Sequence, residues 1–84
     1  MPRNDGVDAR KNRIYAVIQA IVAMLNNNKE HDSFDLDKTI ANIEYESGLT
    51  EERVLEYASI GEKRGDYIID FKERKIKRPE YSES

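Results

Sequence analysis

Two glycines, Gly48 and Gly65, each follow a segment in which apolar side chains recur every three or four residues. That spacing places the apolar side chains on one face of an α-helix. Glycine is favoured just beyond a helix C-terminus, so each glycine predicts where a helix stops. Only Leu49 and Thr50 separate the first glycine from the second helix, which Thr50 is suited to cap. The sequence therefore predicts two amphipathic helices joined by a tight turn.

The segments on either side of this helix pair predict a small sheet. Beyond Gly65, Tyr67, Ile69 and Phe71 alternate with other side chains, which is the two-residue period of a strand. A polar turn at 72–75 and a return strand at 76–78, stopped by Pro79, would complete a hairpin. Before the pair, Phe34 is expected either to plug the core or to form a one-residue bridge to the hairpin as a short first strand. Asp35 is placed to cap the next helix.

A longer helix is predicted over 9–26, with Asp8 as its cap. Residues 1–8 have no apolar period and are interpreted as a flexible arm, and 79–84 as a flexible acidic tail. Residues 9–78 then form the folded domain. The apolar positions of this helix follow the spacing of one helical face: Ile14, Val17, Ile18, Ile21, Val22 and Leu25.

Length and composition exclude several classes of protein. A chain of 84 residues supports one small domain without a large enclosed active site. It has no cysteine, so disulfides and thiolate chemistry are excluded. The N-terminal segment lacks the apolar region of a secretory signal, and the uncharged run at 14–28 is too short and too polar to cross a bilayer. We therefore expect a cytoplasmic protein without a membrane partner.

No combination of residues in the sequence indicates catalysis. There is no nucleophile with a base in a recognisable context, no glycine-rich phosphate loop and no metal-ligand cluster. The one histidine, His31, lies near Asp32 and Asp35 in a loop, but three such residues without further ligand spacing are typical of a solvated loop. We expect no enzyme activity, no cofactor, no metal and no small-molecule substrate.

The charges are unevenly distributed along the chain. The net charge is −3, yet residues 1–13 carry four basic and two acidic side chains, and 72–78 carry five basic and one acidic. Residues 26–62 carry three basic and ten acidic side chains. The two basic ends are the candidates for contact with an anionic partner.

Four parts of the chain are informative together: the first helix, Asp35-Leu36-Asp37-Lys38, the turn at 47–55 and Glu62-Lys63-Arg64-Gly65. In this order they resemble the winged helix-turn-helix superfamily. They are similar to the small DNA-binding regulators of archaea and of archaeal viruses and plasmids. The resemblance implies an α+β, mostly helical fold, with three helices and a C-terminal β-hairpin, the wing. The chain departs from the usual pattern at Glu44, Ala58 and Gly61, where a small residue and two larger ones are usual. We expect the first helix, Tyr15 or Tyr57 to fill the space beside Gly61.

The resemblance also implies a function, which is sequence-specific binding of double-stranded DNA by a small, nucleoid-associated transcriptional regulator. The second helix of the pair would enter the major groove, and Thr50, Arg53, Ser59 and Lys63 would approach the bases. The wing would contact the phosphate backbone through Lys72, Arg74, Lys75, Lys77 and Arg78. The start of the first helix would add backbone contacts from Arg10, Lys11 and Arg13.

Alternatives to each part of this interpretation remain open. Glu51, Glu52 and Glu56 make the second helix of the pair an awkward surface for DNA, and they are equally explained as a solvated face. Lysines on a hairpin edge also discourage aggregation without binding anything. The chain would then be a winged-helix protein-interaction module without base readout, which binds its partner through the acidic middle and Ile60.

The first helix has more apolar surface than one buried face requires, because Gln19 is the only polar side chain between Ile14 and Leu25. This predicts a homodimer through the first helix. Alternatively, the core covers one side of the helix and its small alanines face solvent. The predicted interface residues are Tyr15, Ile18, Val22 and Met24.

Overall fold

The computed structural model describes the backbone of residues 5–79 and the side chains of residues 9–79. Within the described backbone, three helices and three short strands follow one another: α1 (Asp5–Asn27), β1 (Ser33–Asp35), α2 (Leu36–Ser47), α3 (Glu51–Arg64), β2 (Ile68–Asp70) and β3 (Lys75–Lys77). The α+β, mostly helical architecture predicted from the sequence is confirmed, and its layout is compatible with a winged helix. None of the described helices is long and apolar enough to cross a membrane.

The three strands form one antiparallel sheet in the order β1-β3-β2. The central strand, β3, pairs Ile76 with Phe34 of β1 on one side and with Ile69 of β2 on the other. The short strand predicted at Phe34 is thereby confirmed. Because β1 leads directly into α2, the sheet fixes the start of α2 beside the turn that joins β2 to β3.

The predicted helix ends around the tight turn are confirmed. The Asp35 carboxylate accepts a hydrogen bond from the Lys38 backbone N–H at 2.9 Å, and the Thr50 hydroxyl accepts one from the Arg53 N–H at 3.3 Å. These are N-cap bonds that satisfy free donors of a first helical turn. Gly48 and Gly65 adopt the left-handed conformation, with φ of 78° and 90°. The turn between α2 and α3 is thus fixed by local chemistry at both ends.

The bounds of three other elements differ from the prediction. The smallest difference is in β3, which covers Lys75–Lys77 instead of 76–78. Helix α1 begins at Asp5, four residues before Ala9, so Asp8 lies inside the helix and is not its cap. The flexible arm predicted over 1–8 therefore does not extend through 5–8; residues 1–4, and residues 80–84 of the predicted tail, lie outside the described part. Strand β2 ends at Asp70, and Phe71 consequently falls in the turn, where it is 50% exposed.

The core lies where α1 crosses α3 and the sheet closes the other end, with Ile21, Leu36, Val54 and Ile76 fully buried. Tyr67, from the segment between α3 and β2, is 1% exposed and lies over Gly61. Its hydroxyl donates to the Ala58 carbonyl at 2.6 Å. The expectation that α1, Tyr15 or Tyr57 fills the space beside Gly61 is wrong, because Tyr67 occupies it.

Candidate nucleic-acid interface

Three arginines from two helices line one groove. Arg10 and Arg13 are on α1, three residues apart and hence on one side of the helix. Arg53 is in the first turns of α3. Together with Leu49 and Tyr57, they line an open groove of about 400 Å³ where α1 passes the start of α3. The sequence predicted each arginine as a DNA contact, and the structure brings the three together.

One carboxylate, Glu56, lies between two of these arginines. The guanidinium of Arg53 is 3.4 Å from one Glu56 carboxylate oxygen, and that of Arg10 is 3.5 Å from the other. All three side chains are about half exposed, so these ion pairs are surface pairs of small energy. A phosphate that entered the groove would compete with Glu56 for the same two guanidiniums.

The remaining residues predicted to approach bases lie on α3 or at its N-cap. Lys63 is exposed in the last turn, and Ser59 is partly buried. Thr50 is exposed, but its hydroxyl oxygen already accepts the capping bond from Arg53. Ile60, which the protein-interaction alternative requires as an exposed anchor, is partly buried against the core. The acidic part of this surface is made by Glu51, Glu52 and Glu56.

The hairpin lies on the other flank of α3. Two residues turn an α-helix by about 200°, so Glu51 and Arg53 lie on opposite flanks. Arg74, in the hairpin turn, forms an ion pair with Asp37 at the start of α2. Asp37 holds the pKa of the Arg74 guanidinium above its ordinary value, and the charges of Glu51 and Asp35 add to the effect. Helix α3 is therefore flanked by the arginine groove and by the hairpin turn.

The structure separates the five cations of the hairpin into two groups. Arg74 is paired with Asp37, and the Lys77 ammonium is 3.3 Å from an Asp70 carboxylate oxygen. Lys72 is exposed and Lys75 is partly buried, and neither has a carboxylate partner within the described chain. Within residues 9–79, Lys72 and Lys75 are thus the two hairpin cations that have neither a carboxylate partner nor carbonyl acceptors such as those of Arg78.

Arg78 has a structural role that the sequence did not indicate. Its guanidinium donates hydrogen bonds to the Leu25 carbonyl at 2.7 Å, to the Asn28 carbonyl at 2.8 Å and to the His31 carbonyl. These acceptors belong to the C-terminal end of α1 and the loop after it, where free carbonyls and the helix dipole favour a cation. With its donors used in this way, Arg78 ties the end of β3 to the end of α1.

The four residues predicted as a dimer interface do not form one surface. Ile18 is 1% exposed and lies in the core, so its prediction as an interface residue is wrong. Nine residues advance a helix by about two and a half turns, which places Tyr15 and Met24 on opposite sides of α1. Met24 faces Thr39 of α2, with sulfur and hydroxyl 3.6 Å apart, and Val22 is partly buried against the core. Between Ile14 and Leu25, the exposed positions of α1 are instead Tyr15, Ala16, Gln19, Ala20 and Ala23.

The loop histidine has ordinary surroundings. His31 is exposed, lies 3.7 Å from a Glu30 carboxylate oxygen and packs edge-on against the Phe34 ring at a centroid distance of 5.9 Å. Among residues 9–79, no group of three or more histidine, aspartate or glutamate side chains is arranged to hold a metal ion.

Asp37 and Asp70, the two carboxylates that hold the hairpin, should make the stability of the fold sensitive to acid. The hydrogen bonds from Arg74 lower the pKa of Asp37 below its ordinary value of 3.8. The pKa of Asp70 is lowered chiefly by the Glu73 backbone N–H, and further by Lys77. A group whose pKa is depressed in the folded state stabilises the fold above its unfolded pKa and loses that contribution as the pH falls through the folded value. We expect the unfolding free energy to fall below about pH 4.

Urea unfolding at a series of pH values between neutrality and pH 3 measures this effect. Asp37→Asn and Asp70→Asn should each flatten the decline in acid. Asp32→Asn, which removes an exposed loop carboxylate without an ion-pair partner in the described chain, is the matched control and should leave the decline unchanged. Equal slopes for all three variants would contradict the assignment.

Comparisons of the chain with protein-family models, with curated proteins and with solved structures found no match.

Proposed function

We propose that this chain is a winged-helix protein that binds double-stranded DNA, as a small transcriptional regulator would. The observation that carries the proposal is the convergence of Arg10, Arg13 and Arg53 on one groove beside the start of α3. In a chain with a net charge of −3, three guanidiniums around one open groove concentrate positive potential where a helix can enter a duplex. Arginine also suits bidentate contact with phosphate oxygens.

The hairpin supports the same orientation on DNA. With α3 in the major groove, the arginine groove would meet the backbone on one flank, and the hairpin turn with Lys72 and Lys75 would meet it on the other. The glutamates of α3 would have both a favourable and an unfavourable effect on DNA binding in this arrangement. Glu52 or Glu56 can accept a hydrogen bond from cytosine N4, whereas their charge opposes nearby phosphates. Backbone contacts would therefore supply most of the affinity. A homodimer through the first helix, which would double both basic surfaces, stays a prediction.

Anisotropy titrations of a labelled mixed-sequence duplex at several salt concentrations test the proposal. Wild-type affinity should fall steeply as salt rises, since each neutralised phosphate contributes about −0.9 to the slope of log K against log salt. The Arg10→Ala, Arg13→Ala, Arg53→Ala triple variant should weaken binding and reduce the magnitude of that slope by about two to three.

A substitution that removes a negative charge should have the opposite effect on DNA affinity. Glu56→Gln keeps the size of the side chain but frees Arg10 and Arg53 from their carboxylate, so it should tighten binding by several fold, on the order of one surface charge interaction. The matched control for the arginine substitutions is Lys29→Ala, which also removes an exposed cation. Lys29 is an exposed cation just beyond the far end of α1, about 25 Å along the helix from Arg10, and its removal should change little.

Two results would overturn the proposal. One is a wild-type protein that does not bind the duplex at low salt, which would leave the protein-interaction module as the better interpretation. The other is a triple variant that keeps the wild-type slope, which would exclude the arginine groove as the site of backbone contact.

A further inference from the structure

The hairpin turn presents an aromatic side chain to solvent from a backbone that is held on both sides. Phe71 opens the turn at 71–74 and is 50% exposed. The alternation that buries Tyr67 and Ile69 ends with β2, so the Phe71 ring does not join the core. At half exposure, the Phe71 ring keeps part of its apolar surface available for contact with a partner.

The first side of the turn is fixed by Asp70. One of its carboxylate oxygens accepts hydrogen bonds from the backbone N–H groups of Lys72 at 3.0 Å and Glu73 at 2.9 Å. The other oxygen is 3.3 Å from the Lys77 ammonium on the return strand. Side chains of aspartate commonly stabilise turns in this way. The backbone next to Phe71 is therefore set before any ligand binds.

The second side of the turn is fixed by Arg74. This residue has a left-handed backbone, with φ of 57°, and its carbonyl accepts a hydrogen bond from the Leu36 N–H at 3.0 Å. Its guanidinium points back to Asp37 of α2. Arg74 is thus turned toward the protein, and the turn offers three other exposed side chains to a partner, Phe71, Lys72 and Glu73.

From this arrangement we infer that Phe71 is an apolar wedge that enters the minor groove of a DNA duplex, with Lys72 on the adjacent phosphate. The inference rests on the proposed function and adds a contact that is not electrostatic. A minor groove about 6 Å wide admits a flat ring but few larger elements. Proteins that bind there combine cations with apolar side chains that press between base steps. Because the turn is already ordered, little conformational entropy is lost when the ring inserts.

The chain contains no tryptophan, so Phe71→Trp introduces a single indole reporter at the proposed contact. Addition of duplex DNA should quench or shift the indole emission of this variant. The matched control is Tyr45→Trp. Tyr45 is 90% exposed near the far end of α2, about 12 Å along that helix from Asp37, and its indole should respond little to DNA.

Affinity and salt dependence separate the wedge from the surrounding charges. Phe71→Ala should weaken duplex binding by about tenfold, as expected for loss of an aromatic contact with bases, with the salt slope unchanged because no charge is removed. Lys72→Ala should reduce the slope instead. Tyr45→Ala is the control for loss of an exposed aromatic ring and should bind as the wild type does.

The outcomes distinguish the wedge from the proposed function. If the wild type binds DNA with a steep salt dependence while Phe71→Ala binds equally well, the wedge is wrong and the proposed function stands. A silent indole in a Phe71→Trp variant that still binds would lead to the same conclusion. If the wild type does not bind duplex DNA at low salt, both are wrong. Circular dichroism of each variant checks that an effect on binding is not an effect on folding.

Discussion

Replacing Gly61 with alanine should lower the free energy of unfolding by about 2–3 kcal/mol, although alanine is the better helix former by about 1 kcal/mol. The reason is the position of Tyr67. A Cβ atom at Gly61 would lie 2.2 Å from the Tyr67 hydroxyl oxygen and 2.5 Å from its Cζ, and both distances are far inside van der Waals contact. The ring must move, and it then loses its burial and its 2.6 Å hydrogen bond to the Ala58 carbonyl. For a domain of this size, the loss is a large part of a total of about 4–12 kcal/mol.

A second substitution tests whether the ring is the cause. Tyr67→Leu keeps an apolar side chain near α3 but removes the outer ring atoms that the new Cβ would meet. In a Tyr67→Leu background, Gly61→Ala should therefore change from destabilising to neutral or slightly stabilising, by up to about 1 kcal/mol. Urea unfolding followed by circular dichroism gives both values, and an unchanged m-value shows that they can be compared.

The ionisation of Tyr67 provides an independent check. Burial, with the nearby charges of Asp66 and Glu62, raises the pKa of the Tyr67 phenol above its ordinary value of 10.0. If Gly61→Ala displaces the ring into solvent, that pKa should move back toward 10.0 in a spectrophotometric titration. A Gly61→Ala protein with wild-type stability and an unchanged tyrosine titration would show that Tyr67 does not lie over Gly61.

The features that sequence reasoning predicted are those set by neighbours along the chain. The Asp35 and Thr50 caps depend on backbone N–H groups three residues away, and the left-handed conformation of Gly48 and Gly65 follows from their place after a helix. Each of these features is complete within a few residues. Periodicity and capping rules can therefore find it without the fold.

The features that were missed depend on residues far apart in the sequence. Tyr67 reaches Gly61 only because the chain reverses after Gly65, and the alternation pattern showed merely that Tyr67 points inward. In the candidate interface, the separation of Arg10 from Arg13 indicated one shared side of a helix, but nothing in the sequence placed Arg53 on the same groove. The basic run at the C-terminal end looked uniform as sequence. Tertiary contacts decide which cations of this run face solvent and which hold the fold. Lys72 points outward and is unpaired in the described chain, whereas Arg78 is turned inward.

Arg78→Ala should lower the free energy of unfolding by about 2–3 kcal/mol, because Arg78 makes charge-assisted hydrogen bonds that cap the end of α1. The substitution would remove the guanidinium donor from the Leu25 carbonyl, 2.7 Å away, and from the Asn28 carbonyl, 2.8 Å away, which would keep only the His31 backbone N–H at 3.1 Å. Arg78→Lys keeps the charge near the helix C-terminus but cannot reproduce the forked geometry, so it should recover only part of the loss. Urea unfolding measures both variants.

Lys72→Ala is the matched control, since it removes an exposed cation of the same hairpin that has no ion-pair partner in the described chain. Its stability should stay within about 0.5 kcal/mol of the wild type. The salt dependence of DNA binding should show the reverse order: Lys72→Ala reduces the slope, while Arg78→Ala, measured where it is fully folded, retains it. An Arg78→Ala protein with wild-type stability and a reduced slope would return Arg78 to the DNA-binding surface. The five cations of the hairpin would then have to be assigned again from their binding energies, because charge alone does not distinguish a cation that holds the fold from one that holds a phosphate.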